Sequence, residues 1–346
     1  MKATAQPTPI KADRSVQSNT MKAVVREIYG PPEVLKLVEL PKPTPRDHEV
    51  RVKIYATTVT SGDCRVRGLN VPAGFGLIIR LAMGVVRPRQ TVLGSEFAGE
   101  VEAVGRNVTR FKVGDRVFGM DGLRMGAHAQ YKCLPEGGAL ALIPPGLSYE
   151  EAAALPFGGS TMLDFYQRAR LKAGDKVLVN GASGAVGVAA VQLARHFGAE
   201  VTAVCSSANV ELVRSLGAQR VLDYTKEDFS ASGQTYDLIV DTVGTAPFAR
   251  SKNSLRKGGR LLLVLATLWQ MLSASWESAT SGKKVIAGPT SERAEYVQTM
   301  AKLAQEGRLR PVIDRRYALE QMAEAHRYVE TGRKRGSVVV MVNHGG

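Results

Sequence analysis

The chain predicts an α/β fold in which a doubly wound parallel Rossmann sheet is inserted in a β-rich domain. Three observations carry this reading. Short alternating strands run from Met21 to the Pro144–Pro145 pair, and strands then alternate with helices. Residues 176–197, KVLVNGASGAVGVAAVQLARHF, run from a β-branched strand through a glycine turn into an amphipathic helix. At 346 residues the chain suits two domains, each able to bury a core.

Taken in order, residues 1–20 are polar, mixed in charge and without an apolar run, so they read as a disordered extension rather than a secretory signal; Asp13 argues against a transit peptide. The segments MKAVVREI, EVRVKIYA after the Pro-rich turn at 41–45, EFAGEVEAVG, VGDRVFG and AHAQYKCL then read as strands. Ser148 with Glu151 forms a capping box that opens the helical part. The strands VLVN, VTAVC, RVLDY, YDLIVDTVG and GRLLLVLA follow, separated by helical stretches, which means parallel pairing with helical crossovers. Beyond Gly288 come a helix over 291–306, the strand PVIDRRYAL, a helix over 320–331 and a closing strand SVVVMV that returns to the first domain. The expected division is 21–147 plus 286–346 for the β-rich domain and 148–285 for the Rossmann domain.

The glycine turn has the form A-x-G-x-x-G, with Ala182, Gly184 and Gly187 as its marked positions and Ser183, Ala185 and Val186 between them. Gly184 lets a backbone approach phosphates, Gly187 lets the helix lie on the strand, and the helix N-terminus offers free N–H groups to a pyrophosphate. A tight turn in an unliganded domain is the plainer alternative. An NAD-type turn places an acid after the second strand, where it accepts from the ribose 2′-hydroxyl. Here Cys205, Ser206 and Ser207 stand there and the first acid is Glu211, so the expected cofactor is NADPH.

Composition narrows the rest. Three scattered cysteines, Cys64, Cys133 and Cys205, build neither a disulfide framework nor a four-cysteine zinc lobe, and fit a cytoplasmic setting. No apolar run is long enough to span a bilayer, so membrane insertion is not expected. The net charge of +14 is dispersed apart from Arg87 with Arg89 and the Arg333, Lys334, Arg335 group, so no nucleic-acid partner is expected and attraction of a polyanionic cofactor is the simpler use. No nucleophile elbow supports a hydrolase. His128 reads as structural within a strand and His196 as a surface helix residue.

The phrases MKAVV, SGDCRVRG (61–68), LGSEFAGEVEAVG (93–105), VGDRVFG (113–119), EEAAALPFGGST (150–161), NGASGAVG, DYTKEDF (223–229) and AHRYVETGRKRG together resemble the medium-chain dehydrogenase/reductase superfamily, in its zinc-free quinone oxidoreductase, zeta-crystallin-like branch. The resemblance covers 21–342 and implies that the β-rich domain is GroES-like. Thr60 and Ser95 stand where zinc-dependent relatives carry Cys and His, so it implies no metal. Ser206 and Tyr224 match the residues that hold a 2′-phosphate in relatives. Asn209 replaces their lysine, which leaves Arg214 or the 333–335 group to supply charge. Thr161 is placed beside the nicotinamide, and Val243 and Gly244 along the nucleotide.

Without metal, the implied reaction is direct hydride transfer to a small quinone or to the β-carbon of an enone. Arg65 stands where some relatives carry Tyr and is the candidate electrophile for an oxyanion. Asp63 is grouped with it as the residue orienting its loop. The apolar, arginine-rich stretch 69–92 could cap the nicotinamide cleft or pack on the core or on a second subunit. Competing readings are an NADPH-binding structural or regulatory protein with little turnover, and an enoyl-thioester reductase. Oligomeric state stays open, although lookalikes are commonly homodimers.

Overall fold

The structure, a computed structural model, describes residues 19–344 except 123. The expected extension therefore lies outside the described residues, save that Asn19 and Thr20 are placed and the first strand already begins at Thr20.

That strand, β1 (Thr20–Arg26), pairs antiparallel with β2 (Leu35–Pro41) as a two-stranded sheet. Strand β3 (Glu49–Val59) buries every second residue over its first half, so one face meets a core and the other stays partly wet. Helix α1 (Ser61–Gly68) follows, started by a capping box in which Thr60 and Asp63 exchange hydrogen bonds, and α2 (Gly76–Met83) comes next. Strands β4 (Glu96–Val104), β5 (Arg116–Met120), β6 (Tyr131–Pro135) and β7 (Leu140–Leu142) complete the β-rich half. Helices α3 (Tyr149–Ala153) and α4 (Pro156–Ala169) lead out of it into the other half; the Ser148–Glu151 box caps α3 as expected.

The alternating half consists of β8 (Lys176–Asn180), α5 (Ala185–His196), β9 (Glu200–Cys205), α6 (Val210–Ser215), β10 (Arg220–Asp223), β11 (Tyr236–Asp241), α7 (Phe248–Ser251), β12 (Leu255–Leu263), α8 (Leu268–Ser281) and β13 (Lys284–Ala287). After α9 (Ala294–Gln305), β14 (Ile313–Ala318) and α10 (Met322–Glu330), the chain closes on β15 (Ser337–Met341). Three strands were not expected: β2, which lies at an edge without clean alternation, and β7 and β13, which are too short to show a period. Strand β6 begins only at Tyr131, because residues 127–130 leave the ladder to bond across to the segments before β4 and around β1. Strand β13 carries its sheet to Ala287, past the boundary expected at 285.

All six strands of the second half are parallel, in the order β10-β9-β8-β11-β12-β13. Val177, Leu178 and Val179 of β8 and Leu238, Ile239 and Val240 of β11 are fully buried, as central parallel strands covered on both faces require. The order reverses between β8 and β11, which opens a crevice beyond their carboxyl ends. The other large sheet runs β14-β15-β3-β4-β5-β7, with β6 also on β3; β15 pairs antiparallel with β3, so the closing strand does return to the β-rich half. A shared core joins the two: Ala56, Ala98 and Phe118 of one sheet and Val177, Val179 and Leu238 of the other pack with α4, α5 and α9.

A buried polar lock holds α1 against α10. Arg67 is 1% exposed; its Nη2 pairs with Glu330, its Nε donates to Gly30 O at 3.1 Å and its Nη1 to His326 Nδ1 at 3.0 Å. A guanidinium only donates, so His326 Nδ1 is an acceptor and the imidazole is neutral. Burial holds the His326 pKa well below its ordinary value, helped by His128 and Arg67 nearby. The Cys64 thiol, 3.3 Å from the same Nδ1, is pushed up to about 12 by burial and is inert as a nucleophile. His128 sits before β6, fully buried, with Nε2 at 2.9 Å from Thr58 O; His196 is half-buried at the end of α5.

Replacing Arg67 by methionine removes the cation from this lock. Arg67→Met should cost about 3 kcal/mol in urea denaturation, the low end for stripping one member of a buried pair, because Glu330 stays partly hydrated. A loss below about 0.5 kcal/mol would mean that the pair carries no stability.

Candidate dinucleotide site

The crevice at the switch between β8 and β11 is a cavity of about 950 Å³, a size suited to a dinucleotide or a large organic ligand. Its floor is the glycine corner. The N–H groups at the start of α5 face it, and Ser183, Gly184, Ala185, Val186 and Gly187 all line it. The glycines divide the work. A side-chain carbon on Gly187 would fall 2.1 Å from Gly181 O and 2.6 Å from the Ala182 carbonyl carbon, so α5 approaches the strand only because none is present. At Gly184 the nearest atom to such a carbon is Gly181 O at 3.9 Å, which leaves an open cradle on the cavity side. Ala182 is wholly buried behind the corner, its N–H on Val204 O at 3.0 Å, and does not line the cavity.

Beyond β9 the wall is Cys205, Ser206 and Asn209, with Tyr224 from beyond β10 and Val243 from beyond β11. Asn209 donates to Ser183 Oγ at 3.1 Å and Ser206 Oγ at 3.2 Å, while its buried Oδ1 has no partner among the described residues. An orphaned acceptor lining a cavity fits a ligand hydroxyl, such as that of a ribose. Ser207 does not line the cavity: its hydroxyl is committed to Asp223, whose carboxyl is lowered to about 2 by the hydroxyls of Ser207 and Thr225. Gly244 also stands behind the wall, at φ 79°, with its N–H on Asp241 Oδ1 at 3.0 Å.

The charge of the lining is one-sided. Arg65, Arg250, Arg333, Lys334 and Arg335 face Glu227 as the one carboxylate among the described lining residues. Arg214, considered from the sequence, is instead paired with Glu211 at 2.8 Å and stands outside the cavity. Gly336 N–H donates to Ser183 O at 2.8 Å, and Gly336 bridges Gly184, which sets the 333–335 group over the corner. Arg250, another lining residue, is held by its bonds to Thr245 O at 2.8 Å and to Asp228 at 2.9 Å.

Sequence reasoning missed a deep acid–base pair beside this wall. Burial pushes the Glu96 carboxyl up to about 7, against the pull of its bonds from the Thr58 hydroxyl and from Phe157 N–H at 2.6 Å. Protein atoms crowd the Lys334 ammonium, so burial brings it down to about 8 although Glu96 opposes the shift; its Nζ donates to Gly336 O at 2.6 Å. The one available signal was Lys334 within the basic group; Glu96 lay inside an ordinary strand pattern.

The three residues grouped as catalytic separate. Arg65 lines the cavity with Ser61 and Phe157, half-buried, its pKa lowered by burial, and its guanidinium has no hydrogen bond or ion pair with the described residues. Asp63 is 1% exposed and lies outside the cavity; it accepts from Thr60 N at 2.8 Å and Gly94 N at 3.2 Å and so fixes the start of α1. Thr161 is buried in α4 and outside the lining, its hydroxyl returned to Phe157 O at 2.7 Å. None of residues 69–92 lines the cavity.

The chain is similar to known proteins over most of its length. A family model described as "Alcohol dehydrogenase GroES-like domain" matches residues 46–145, and one described as "Zinc-binding dehydrogenase" matches residues 216–340. The chain is 30% identical to 2-methylene-furan-3-one reductase of Solanum lycopersicum over 92% of its own length and 79% of that protein. It is also 30% identical to quinone oxidoreductase of Homo sapiens, covering 90% of the chain and 94% of the human protein. The chain belongs to the medium-chain dehydrogenase/reductase superfamily, in its quinone-oxidoreductase branch. The solved quinone oxidoreductase of Coxiella burnetii superposes with a TM-score of 0.83 at 30% identity, over 94% of this chain and all of that one. The parallel Rossmann sheet and the GroES-like β-rich unit of this superfamily are both present.

This superfamily works with pyridine nucleotides, and the open cradle at Gly184 with the orphaned Asn209 acceptor fits such a cofactor. The zinc named by one family model does not fit. Thr60 spends its hydroxyl on Asp63, Ser95 offers only a buried hydroxyl, and the described residues hold no cluster of three His, Cys, Asp or Glu side chains able to take a metal. No helix among the described residues is long and apolar enough to cross a membrane.

The two glycines should respond differently to one methyl group. Gly184→Ala should keep unfolding stability within about 1 kcal/mol, the range for a changed helix N-cap, yet weaken dinucleotide binding about tenfold or more, ~1.4 kcal/mol. Gly187→Ala should lose stability outright by about 1–3 kcal/mol because the backbone cannot yield. Equal dinucleotide affinity of Gly184→Ala and the parent in calorimetry would remove the cradle from the binding site.

Proposed function

We propose that the chain is an NADPH-dependent, zinc-independent reductase that delivers a hydride to quinones or to the β-carbon of α,β-unsaturated carbonyls. One observation carries the proposal: the glycine corner opens into a cavity whose α1 wall presents a partnerless arginine and no metal-type donors. The names of its relatives, a quinone oxidoreductase and a furanone reductase, point to the same electrophiles. A binding protein without turnover is correspondingly disfavoured. An enoyl-thioester reductase is the weaker alternative, because Arg65 stands where a tyrosine donor would be needed.

The choice of NADPH rests on the wall beyond β9. Ser206 and Asn209 line it, no carboxylate stands at its end, and the cations of the 333–335 group and Arg250 are close to the same space. A 2′-phosphate would gain charge-assisted hydrogen bonds there, with Glu227 the one lining carboxylate set against several cations. Tyr224, 63% exposed, supplies a flat apolar rim.

Bound NADPH would supply the hydride; the protein supplies alignment and charge. Gly184 and the start of α5 would seat the pyrophosphate, while Val243 packs along the nucleotide. Arg65 would face the acceptor oxygen as electron density arrives there. Being planar and permanently charged, it stabilises the oxyanion without surrendering a proton, which water then provides. Asp63 holds α1, and hence Arg65, in place.

Two measurements check this reading. NADPH oxidation should accelerate with a panel of 1,4-quinones and short enones, unaffected by a strong chelator, and Arg65→Met should lower kcat by about 10²-fold with little change in cofactor affinity; no turnover with any member of the panel would refute a reductase. Ser206→Asp should cut NADPH affinity at least about tenfold and leave NADH binding near its parent value. Parent protein that binds NADH as tightly as NADPH would overturn the cofactor assignment.

A further inference from the structure

Outside the cavity, the molecule carries exposed apolar helix surface that none of the described residues covers. Helix α2, GLIIRLAM, has no buried residue; Leu77 is 71% exposed, Ile78 and Leu81 are also open to solvent, and Val86 just beyond is 83% exposed. Helix α8 adds a stripe at helical spacing: Trp269, Leu272 and Trp276, the tryptophans 76% and 70% exposed. The two helices start side by side. Leu268 N–H donates to Ala73 O at 3.0 Å, and a carbon on Gly74 would fall 2.6 Å from Leu268 Cβ. Two exposed apolar stripes, two aromatic and several aliphatic side chains in all, therefore set out from one point of the surface.

Its electrostatics select the occupant. From Cys64 to Ser95 the chain has five arginines and no Asp or Glu, of which Arg65 lines the cavity and Arg67 is paired with Glu330; between Thr242 and Trp276, Arg250, Arg256 and Arg260 are paired with Asp228, Asp237 and Asp175, which leaves Lys252 and Lys257 exposed. Arg80, Arg87 and Arg89 are exposed on and beside α2, and none forms an ion pair among the described residues. Glu277 is the one acid on α8. A second copy meeting this face by two-fold symmetry would bring the same cations to it and only Glu277 to match them. A bilayer rich in anionic headgroups supplies the missing negative charge over an apolar layer, and tryptophan settles at that boundary.

We propose that the α2–α8 face is a peripheral membrane-docking surface, in which Trp269, Trp276, Leu77 and Leu81 enter the headgroup boundary of an anionic bilayer and Arg80, Arg87 and Arg89 meet lipid phosphates. The docking is reversible and in-plane; neither helix spans. Leu265, which lines the cavity, stands just before α8, so docking holds that side of the molecule against the membrane.

The chain's two tryptophans both lie on this face, so their emission reports on it alone. Full-length protein is mixed with phosphatidylcholine vesicles, with or without about a third phosphatidylglycerol, and followed by emission and co-sedimentation. The anionic vesicles should shift emission to the blue and pellet the protein, neutral vesicles should do so at least about tenfold less, and raising salt from about 0.1 M to about 0.5 M should reverse most of it. Leu77→Glu with Leu81→Glu, and separately Arg87→Glu with Arg89→Glu, should each lower binding at least about tenfold while NADPH affinity, read by calorimetry, stays unchanged. Unshifted emission with anionic vesicles would overturn the proposal. So would a vesicle-free dimer in which both tryptophans already emit in the blue and ignore lipid.

Discussion

A missing side chain governs the architecture of the site. With a carbon on Gly187 lying 2.1 Å from Gly181 O, the first turn of α5 would stand away from β8. The free N–H groups of that turn would then no longer open on the crevice where the sheet order reverses. Everything downstream depends on this contact: the cradle at Gly184, the reach of Asn209 back to Ser183, and the seat of the 333–335 loop on the corner. The helix is then held by packing, since Val188, Ala189 and Val191 are buried in the core that also includes residues of the β-rich sheet.

The cavity that results is electrostatically unbalanced, and that imbalance is informative. Cations lining a pocket are costly to desolvate, and burial lowers the pKa of Lys334 and of Arg65. The protein offsets part of the cost internally with Glu96, itself forced upward by burial. The rest matches a ligand bearing several phosphate charges. Arg65 differs from the other cations because it rises from α1, on the β-rich side, where Asp63 and Thr60 fix its helix rather than its head group. A cation with a rigid base and no partner is suited to charge that appears only during a reaction.

Much of this was legible in the sequence, and the failures have physical causes. The strand–turn–helix order and the glycine spacing were readable because they are local, and so was the capping box at Ser148. The parallel strands announced themselves as continuous apolar runs. Thr161 and Ser207 were misplaced because a hydroxyl has neighbours on its own segment or an adjacent strand that can claim it: Phe157 O in one case, Asp223 in the other. The coupling of Glu96 to Lys334 could not be seen because the two stand far apart in the chain, and no period or motif connects a carboxylate in β4 with an ammonium before β15. Strand β13 exists only because β12 offers it an edge.

The bond from Gly336 N–H to Ser183 O joins the glycine turn after β8 to the loop entering the last strand. A nascent polypeptide emerging from the ribosome can pair β8 with β9 early, but it lacks the cationic roof until that final loop has been synthesised. Closure of that cavity wall therefore waits for completion of the other sheet through β15 and β3. A nick or frameshift shortly before Gly336 would leave a Rossmann half with its floor intact and its lid gone.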